Sequence, residues 1–91
     1  MPTFRISVVD QAFRASNDHE LASFDEARKH GIKAALAIGA DEVANGEPYF
    51  GAEVLVEDGD ETLGRFVVSV GASSLQYGGA SKALVDGSNP K

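Results

Sequence analysis

Residues 23–41, SFDEARKHGIKAALAIGAD, have the pattern of a single amphipathic α-helix. Ser23 and Glu26 stand three residues apart, which is the spacing of a capping box at a helix N-terminus. At 100° per residue, the small and apolar side chains share one side of this helix and most of the charged ones take the other. The small and apolar set is Phe24, Ala27, Gly31, Ala34, Ala35 and Ile38. The segment is therefore predicted to lie across a β-sheet.

The helix is predicted to end between Ala40 and Ala44, because Asn45-Gly46 supplies a left-handed stop. Within the helix, small residues recur at four-residue spacing, at Gly31, Ala35 and Gly39. Two interpretations of this stripe are open. The favoured one is a close approach of the helix to its own sheet, and the other is a contact between the helices of two copies.

Strands are predicted before the helix. Residues 3–9, TFRISVV, alternate as a strand with one apolar face does. That face carries Phe4, Ile6 and Val8. Asp10-Gln11 is predicted to form a tight turn into a short second strand over residues 12–16. Asn17-Asp18 is predicted to form a turn after it, since Asn and Asp side chains readily bond to their own backbone.

The two strands predicted after the helix, at residues 49–56 and 62–70, form a hairpin whose loop decides which faces meet. A two-residue loop would place the apolar residues of the two strands on opposite faces. A three-residue loop with Gly59 in the left-handed region pairs Phe50 with Phe66 and brings those residues to one face. The three-residue loop is the prediction. The residues then facing the helix are Phe50, Val54, Val56, Phe66, Val68 and Val70.

Together these elements predict an α+β fold: a four-stranded, mostly antiparallel sheet in the order β-β-α-β-β, with the amphipathic helix packed on one face. The opposite face is then too apolar for a simple solvated surface. It is predicted to carry Tyr49, Leu55, Leu63 and Val67, joined by Val9 from the first strand. The first four of these residues are the candidate interaction surface.

Residues 1–70 are predicted to form this single domain. Residues 71–91 are rich in Gly, Ser and Ala and are predicted to be a flexible C-terminal tail. Apolar residues within the tail give it a means of docking back on the sheet.

The composition narrows the classes of function. The chain has 91 residues and a formal net charge of −6, so nucleic-acid binding, which needs clustered Lys and Arg, is not expected. It contains no Cys, which excludes thiol catalysis and Cys-ligated metals. The sequence has neither a run of about 20 apolar residues nor a signal-peptide pattern at its N-terminus. A cytoplasmic protein that does not bind membranes is expected.

No group of residues predicts a catalytic, cofactor or metal site. The acidic run at 57–61 lacks the ligand spacing of a calcium loop. Asp18-His19-Glu20 resembles a ligand group by composition, but neighbours in a chain need not converge. No Ser stands in a Gly-x-Ser-x-Gly elbow. The expectation is a protein that is not an enzyme and needs no cofactor.

Four short segments carry a resemblance: Met1-Pro2-Thr3-Phe4, Asp18–Leu21, Ser23–Arg28 and Val54–Phe66. On these segments, residues 1–70 resemble a family of short bacterial proteins described as a domain of unknown function. That resemblance implies the strand-strand-helix-strand-strand pattern and no activity. The helix with an acidic cap on an antiparallel sheet also resembles HicB-type antitoxin domains, although their Phe-Pro-x-Leu-x-Gly segment is not present before the helix.

The function expected first is a small non-enzymatic module for protein interaction or dimerisation, whose partner is another protein or a second copy of the chain. The alternatives are a small-ligand or regulatory sensor domain and an antitoxin-type domain of the HicB kind. The apolar face opposite the helix favours the first of these.

Overall fold

The computed structural model describes residues 1–75, which form a four-stranded antiparallel sheet with one helix across one face. The strand order is β2-β1-β3-β4, and every neighbouring pair is antiparallel. The elements are β1 (Thr3–Val9), β2 (Arg14–Glu20), α1 (Phe24–Ala44), β3 (Tyr49–Asp58) and β4 (Glu61–Gly71). The predicted α+β fold is confirmed, while the predicted tail from residue 76 onward lies outside the described residues.

Helix α1 begins and ends as its sequence indicates. The Ser23 hydroxyl accepts the backbone N–H of Glu26 at 3.2 Å, as in a capping box. The return bond differs from the prediction, because Glu26 Oε1 accepts the N–H of Ala22 at 3.4 Å instead of that of Ser23. At the other end the helix stops at Ala44, and Gly46 has a φ of +118°. The predicted left-handed stop is confirmed.

The first turn of α1 is acidic and is paired within the helix. Asp25 accepts from the Arg28 guanidinium at 2.9 Å, and Lys29 approaches it to 3.4 Å. Hydrogen bonds from Arg28 and then Lys29 lower the pKa of Asp25 below its ordinary value. The carboxylate thus stays charged at the positive end of the helix dipole.

Strand β2 corrects one prediction. It spans Arg14–Glu20 instead of residues 12–16, and Asn17-Asp18 lie inside the strand instead of forming a turn. Its polar side chains gain partners on β1: Asp18 accepts from Arg5 at 3.2 Å, and the hydroxyls of Ser16 and Ser7 are 2.8 Å apart. Pairing with β1 therefore outweighs the turn preference of the Asn-Asp pair.

The predicted turn at Asp10-Gln11 between β1 and β2 is confirmed, and the Asp10 side chain forms it. Its Oδ1 accepts the backbone N–H of Ala12 at 2.7 Å and that of Phe13 at 2.9 Å. The Asp10 N–H in turn donates to the Phe13 carbonyl at 3.0 Å. Asp10 closes the hairpin through its side chain, the behaviour that was assigned to Asn17-Asp18.

The hairpin of β3 and β4 has a different register from the predicted one. Gly59 has a φ of +59°, so its predicted left-handed conformation is confirmed. The loop, however, has two residues: Asp58 pairs with Glu61, and Phe50 pairs with Val70 instead of Phe66. The prediction of a three-residue loop was wrong.

A β-bulge in β4 restores the predicted arrangement of faces. Val56 pairs with Gly64 while Glu57 pairs with Thr62, so Leu63 is an extra residue without a partner on β3. The two-residue loop alone would place the apolar residues of β3 and β4 on opposite faces, and the extra residue shifts β4 by one position. The six apolar residues therefore lie on the same face of the hairpin, as predicted.

The core lies between this face of the sheet and the small residues of α1. A Cβ atom added at Gly31 would stand 2.6 Å from Val54 Cγ1 and 2.9 Å from Ile6 Cγ2, so the helix backbone rests almost directly on the sheet. This geometry confirms close approach to the sheet as the reading of the small-residue stripe. The buried apolar residues are Phe4, Ile6, Val8, Ala27, Ala35, Phe50, Ala52, Val54, Val56 and Val68.

We predict that Gly31→Ala lowers the free energy of unfolding by roughly 1–2 kcal/mol. Alanine gains about 1 kcal/mol of helix propensity, but its methyl group overpacks a contact whose partners are themselves buried. Urea denaturation measures the change. The control is Ala37→Leu on the exposed side of α1, which adds more volume and should change stability by less than about 0.5 kcal/mol. Equal or greater stability of Gly31→Ala would contradict the close contact.

Candidate interaction surface

The face of the sheet opposite α1 is called the outer face here. It is defined by the alternate residues of β1, β3 and β4 that point away from the core: Val9, Tyr49, Glu53, Leu55, Arg65 and Val67. Val67 is 79% exposed and Tyr49 is 62% exposed, whereas Leu55 is half-buried. Three of the four candidate residues are therefore brought to one face by two neighbouring strands.

Leu63 does not belong to this surface. It is half-buried and packs against the buried core. Gly64 beside it also looks toward the helix, since a Cβ there would stand 2.9 Å from the ring of Phe24. The prediction placed Leu63 on the outer face because it assumed unbroken alternation along β4, and the bulge breaks that alternation at this residue.

Tyr49 lies along the outer face instead of standing out from it. A Cβ added at Gly51 would be 2.6 Å from the Tyr49 hydroxyl oxygen, so the ring covers Gly51. The hydroxyl also lies 3.5 Å from the Ser69 hydroxyl on β4. The ring therefore covers a glycine of its own strand, the hydroxyl reaches β4, and the other ring face stays exposed.

Charged pairs border and cross the apolar residues. Arg65 Nη2 lies 2.8 Å from Glu53 Oε2, and this pair lies between Leu55 and Val67. A second pair, Arg5 with Asp18, lies nearer the β2 edge at 3.2 Å. Exposed ion pairs of this kind contribute about 0–1 kcal/mol each to stability. The Arg5–Asp18 pair gives the outer face a polar border, as in the rim of protein interfaces, whereas the Arg65–Glu53 pair places charges among its apolar residues.

The centre of the sheet contains a polar residue that the sequence reading did not single out. Ser7 is fully buried, and its hydroxyl is 2.8 Å from that of Ser16 on β2. The signal available in the sequence was a small polar residue within the alternation of residues 3–9. A buried hydroxyl needs a partner, and Ser16 provides it because it lies directly opposite Ser7 in the β1–β2 pair.

The remaining sequence-based candidates do not converge. Asp18 faces Arg5 on the outer side, whereas the ring of His19 contacts that of His30 of α1, with centroids 4.3 Å apart and the ring planes tilted by 50°. Within residues 1–75 no group of three or more His, Asp or Glu side chains is placed to hold a metal ion.

Two shallow clefts, of about 280 and 460 Å³, are lined largely by acidic and small residues. Among the same described residues, no helix is long and apolar enough to cross a membrane.

Comparisons with known proteins add no relative. No protein-family model, curated protein or solved structure matches the chain. The two family resemblances drawn from the sequence therefore stay predictions.

The different positions of Leu63 and Val67 give a direct test of which residues form the surface. We expect Leu63→Thr to lower the free energy of unfolding by roughly 1–2 kcal/mol, because it removes apolar contacts with the core. Val67→Thr keeps a β-branched side chain on an exposed position and should change it by less than about 0.5 kcal/mol. Both are measured by chemical denaturation at low protein concentration. Equal effects would mean that the bulge does not turn Leu63 toward the core.

Proposed function

We propose that this chain is a non-enzymatic protein-interaction module that associates with a second copy or with another protein. The observation that carries the proposal is the exposure of Val67 and Tyr49 on the outer face, next to the half-buried Leu55. Within residues 1–75, α1 packs on the other side of the sheet, so the helix leaves the outer face to a partner.

Energetics support an interface more than a solvated sheet. Complete burial of a valine or leucine side chain contributes about 1.5–3 kcal/mol. Tyr49 adds a ring face that is already held against Gly51, so less conformational entropy is lost when a partner covers it. The ion pair between Arg65 and Glu53 lies within the same surface and offers a partner both signs of charge.

Two measurements on the full chain test the proposal. One is solution mass by light scattering over a range of concentrations, and the other is the set of proteins that co-purify with the tagged chain from the cells that make it. We expect Val67→Asp to weaken whichever association is found by at least tenfold, because it places a charge in the apolar surface.

The matched control is Ala37→Asp, which introduces the same charge on the exposed side of α1, away from the outer face. It should leave the association unchanged. The proposed function would be contradicted if the wild-type chain stays monomeric and the same proteins co-purify with it, with Val67→Asp and with Ala37→Asp.

A further inference from the structure

The two edges of the sheet differ in chemistry. Strand β2, at one edge, carries Arg14, Asp18 and Glu20, and charged residues of this kind keep an edge from pairing with other strands. Strand β4, at the other edge, contains the run FVVSV at residues 66–70, with no charge and no proline. Within residues 1–75, β4 pairs with β3 alone. A long, uncharged strand edge is a surface that natural proteins pair or cover.

The middle of the α1 flank on the β4 side is apolar as well, whereas its first two turns carry the ion-paired Asp25 and Arg28. The contact between the rings of His30 and His19 shows which side of the helix faces β2. Ile32 and Leu36 lie on the opposite flank at 100° per residue, and Leu36 is 43% exposed. The helix positions before and after them, Gly31 and Gly39, rest against Val54 and Val70, so this flank stands level with the FVVSV run.

We propose that a second copy of this chain pairs with it edge to edge through β4, antiparallel about a two-fold axis. The pairing makes one continuous sheet of eight strands, with both helices on the same face. This inference rests on the proposed function, names a second copy as the partner, and places the contact at the β4 edge, which shares Val67 with the outer face. An antiparallel strand is complementary to its own copy in hydrogen bonding, so a two-fold axis satisfies both edges with one contact.

The proposed register places the two-fold axis at Val67, within the FVVSV run, and both charge and face are compatible with it. With the axis at Val67, Phe66 pairs with Val68 of the second copy, and the helix-facing residues stay on one face. Arg65 is then opposite Ser69 of the second copy, so no like charges oppose each other. Val67 meets its own copy on the outer face, where its exposed side chain becomes covered.

The spacing of the two helices agrees with this arrangement. Helix α1 lies over β3 and β4 more than over β1. Strands are about 4.8 Å apart, so a helix centred between β4 and β3, or over β3, lies roughly 5–7 Å from an axis beside β4. The helix axes of the two copies are then about 10–14 Å apart, compared with a helix diameter of about 10–12 Å including side chains. Leu36 and Ile32 fill the space between them.

The test measures the dimer dissociation constant of the full chain by sedimentation and light scattering. We expect wild type to reach the mass of two chains, and Leu36→Glu to raise the dissociation constant at least tenfold. Ala37→Glu is the matched control on the other flank and should leave it unchanged. The register is tested at one position: Ser69→Lys opposes Arg65 of the second copy and should weaken the dimer at least tenfold relative to Ser69→Glu, which attracts it.

Three results would overturn the inference. The first is a wild-type chain that stays monomeric to about 1 mM, the level of a weak complex. The second is a dimer insensitive to Leu36→Glu and Ser69→Lys but broken by Tyr49→Lys, which would place the contact on the outer face. The third is a dimer lost when residues 76–91 are removed but not when Leu36 is changed. The second result leaves the proposed function intact. The first result also leaves the proposed function intact if another protein co-purifies with the wild-type chain and no longer does so with Val67→Asp.

Discussion

The close contact between α1 and the sheet is the constraint on which the other features of this domain depend. Gly31 and Gly39 have no side chains, and the branched carbons of Val54, Ile6 and Val70 take the space where a Cβ would stand. A helix that lies this near the strands covers a narrow width of sheet. It packs on β1, β3 and β4, so the polar strand β2 is left at an open edge and the apolar strand β4 keeps one flank of the helix beside it.

Because α1 lies so close to the sheet, each strand that it covers must turn its apolar face toward the helix. The bulge at Leu63 makes this possible for β4. With the two-residue loop at Gly59 alone, β4 would be shifted by one residue against β3, and Phe66 and Val68 would lie on the opposite face from Val54. One extra residue corrects this shift without changing the loop. The bulge breaks the alternation of β4 at that position. It turns the half-buried Leu63 toward the core and leaves the outer face less apolar than the sequence suggests.

The sequence predicted two kinds of feature well. One kind depends on local chemistry, and the other depends only on whether the strand register is odd or even. The Ser23 cap, the stop at Gly46 and the left-handed Gly59 depend on a few neighbouring residues, and the structure has all three. The apolar set of the hairpin depends on whether the register is odd or even, so it was right although Phe50 pairs four residues from the predicted partner. The absolute register was not predicted correctly, because the loop length and the bulge compensate for each other. Hydrophobic alternation indicates only which residues share a face, and that outcome is the same for a three-residue loop and for a two-residue loop followed by a bulge. Likewise β2 has no apolar alternation of its own, since its partners are the polar side chains of β1.

The outer face and the β4 edge share Val67, and this links the two surfaces physically. A charge or a proline near residue 67 would protect the edge, yet the run from 66 to 70 has neither, while Arg65 just before it is turned toward Glu53 of its own chain. The ion pair neutralises the nearest charge and holds it over the sheet instead of beyond the edge. An isolated monomer gains little from that arrangement, because exposed ion pairs contribute little stability. A chain that adds a strand beside β4 gains more, because Arg65 is held over the outer face and does not block the incoming backbone.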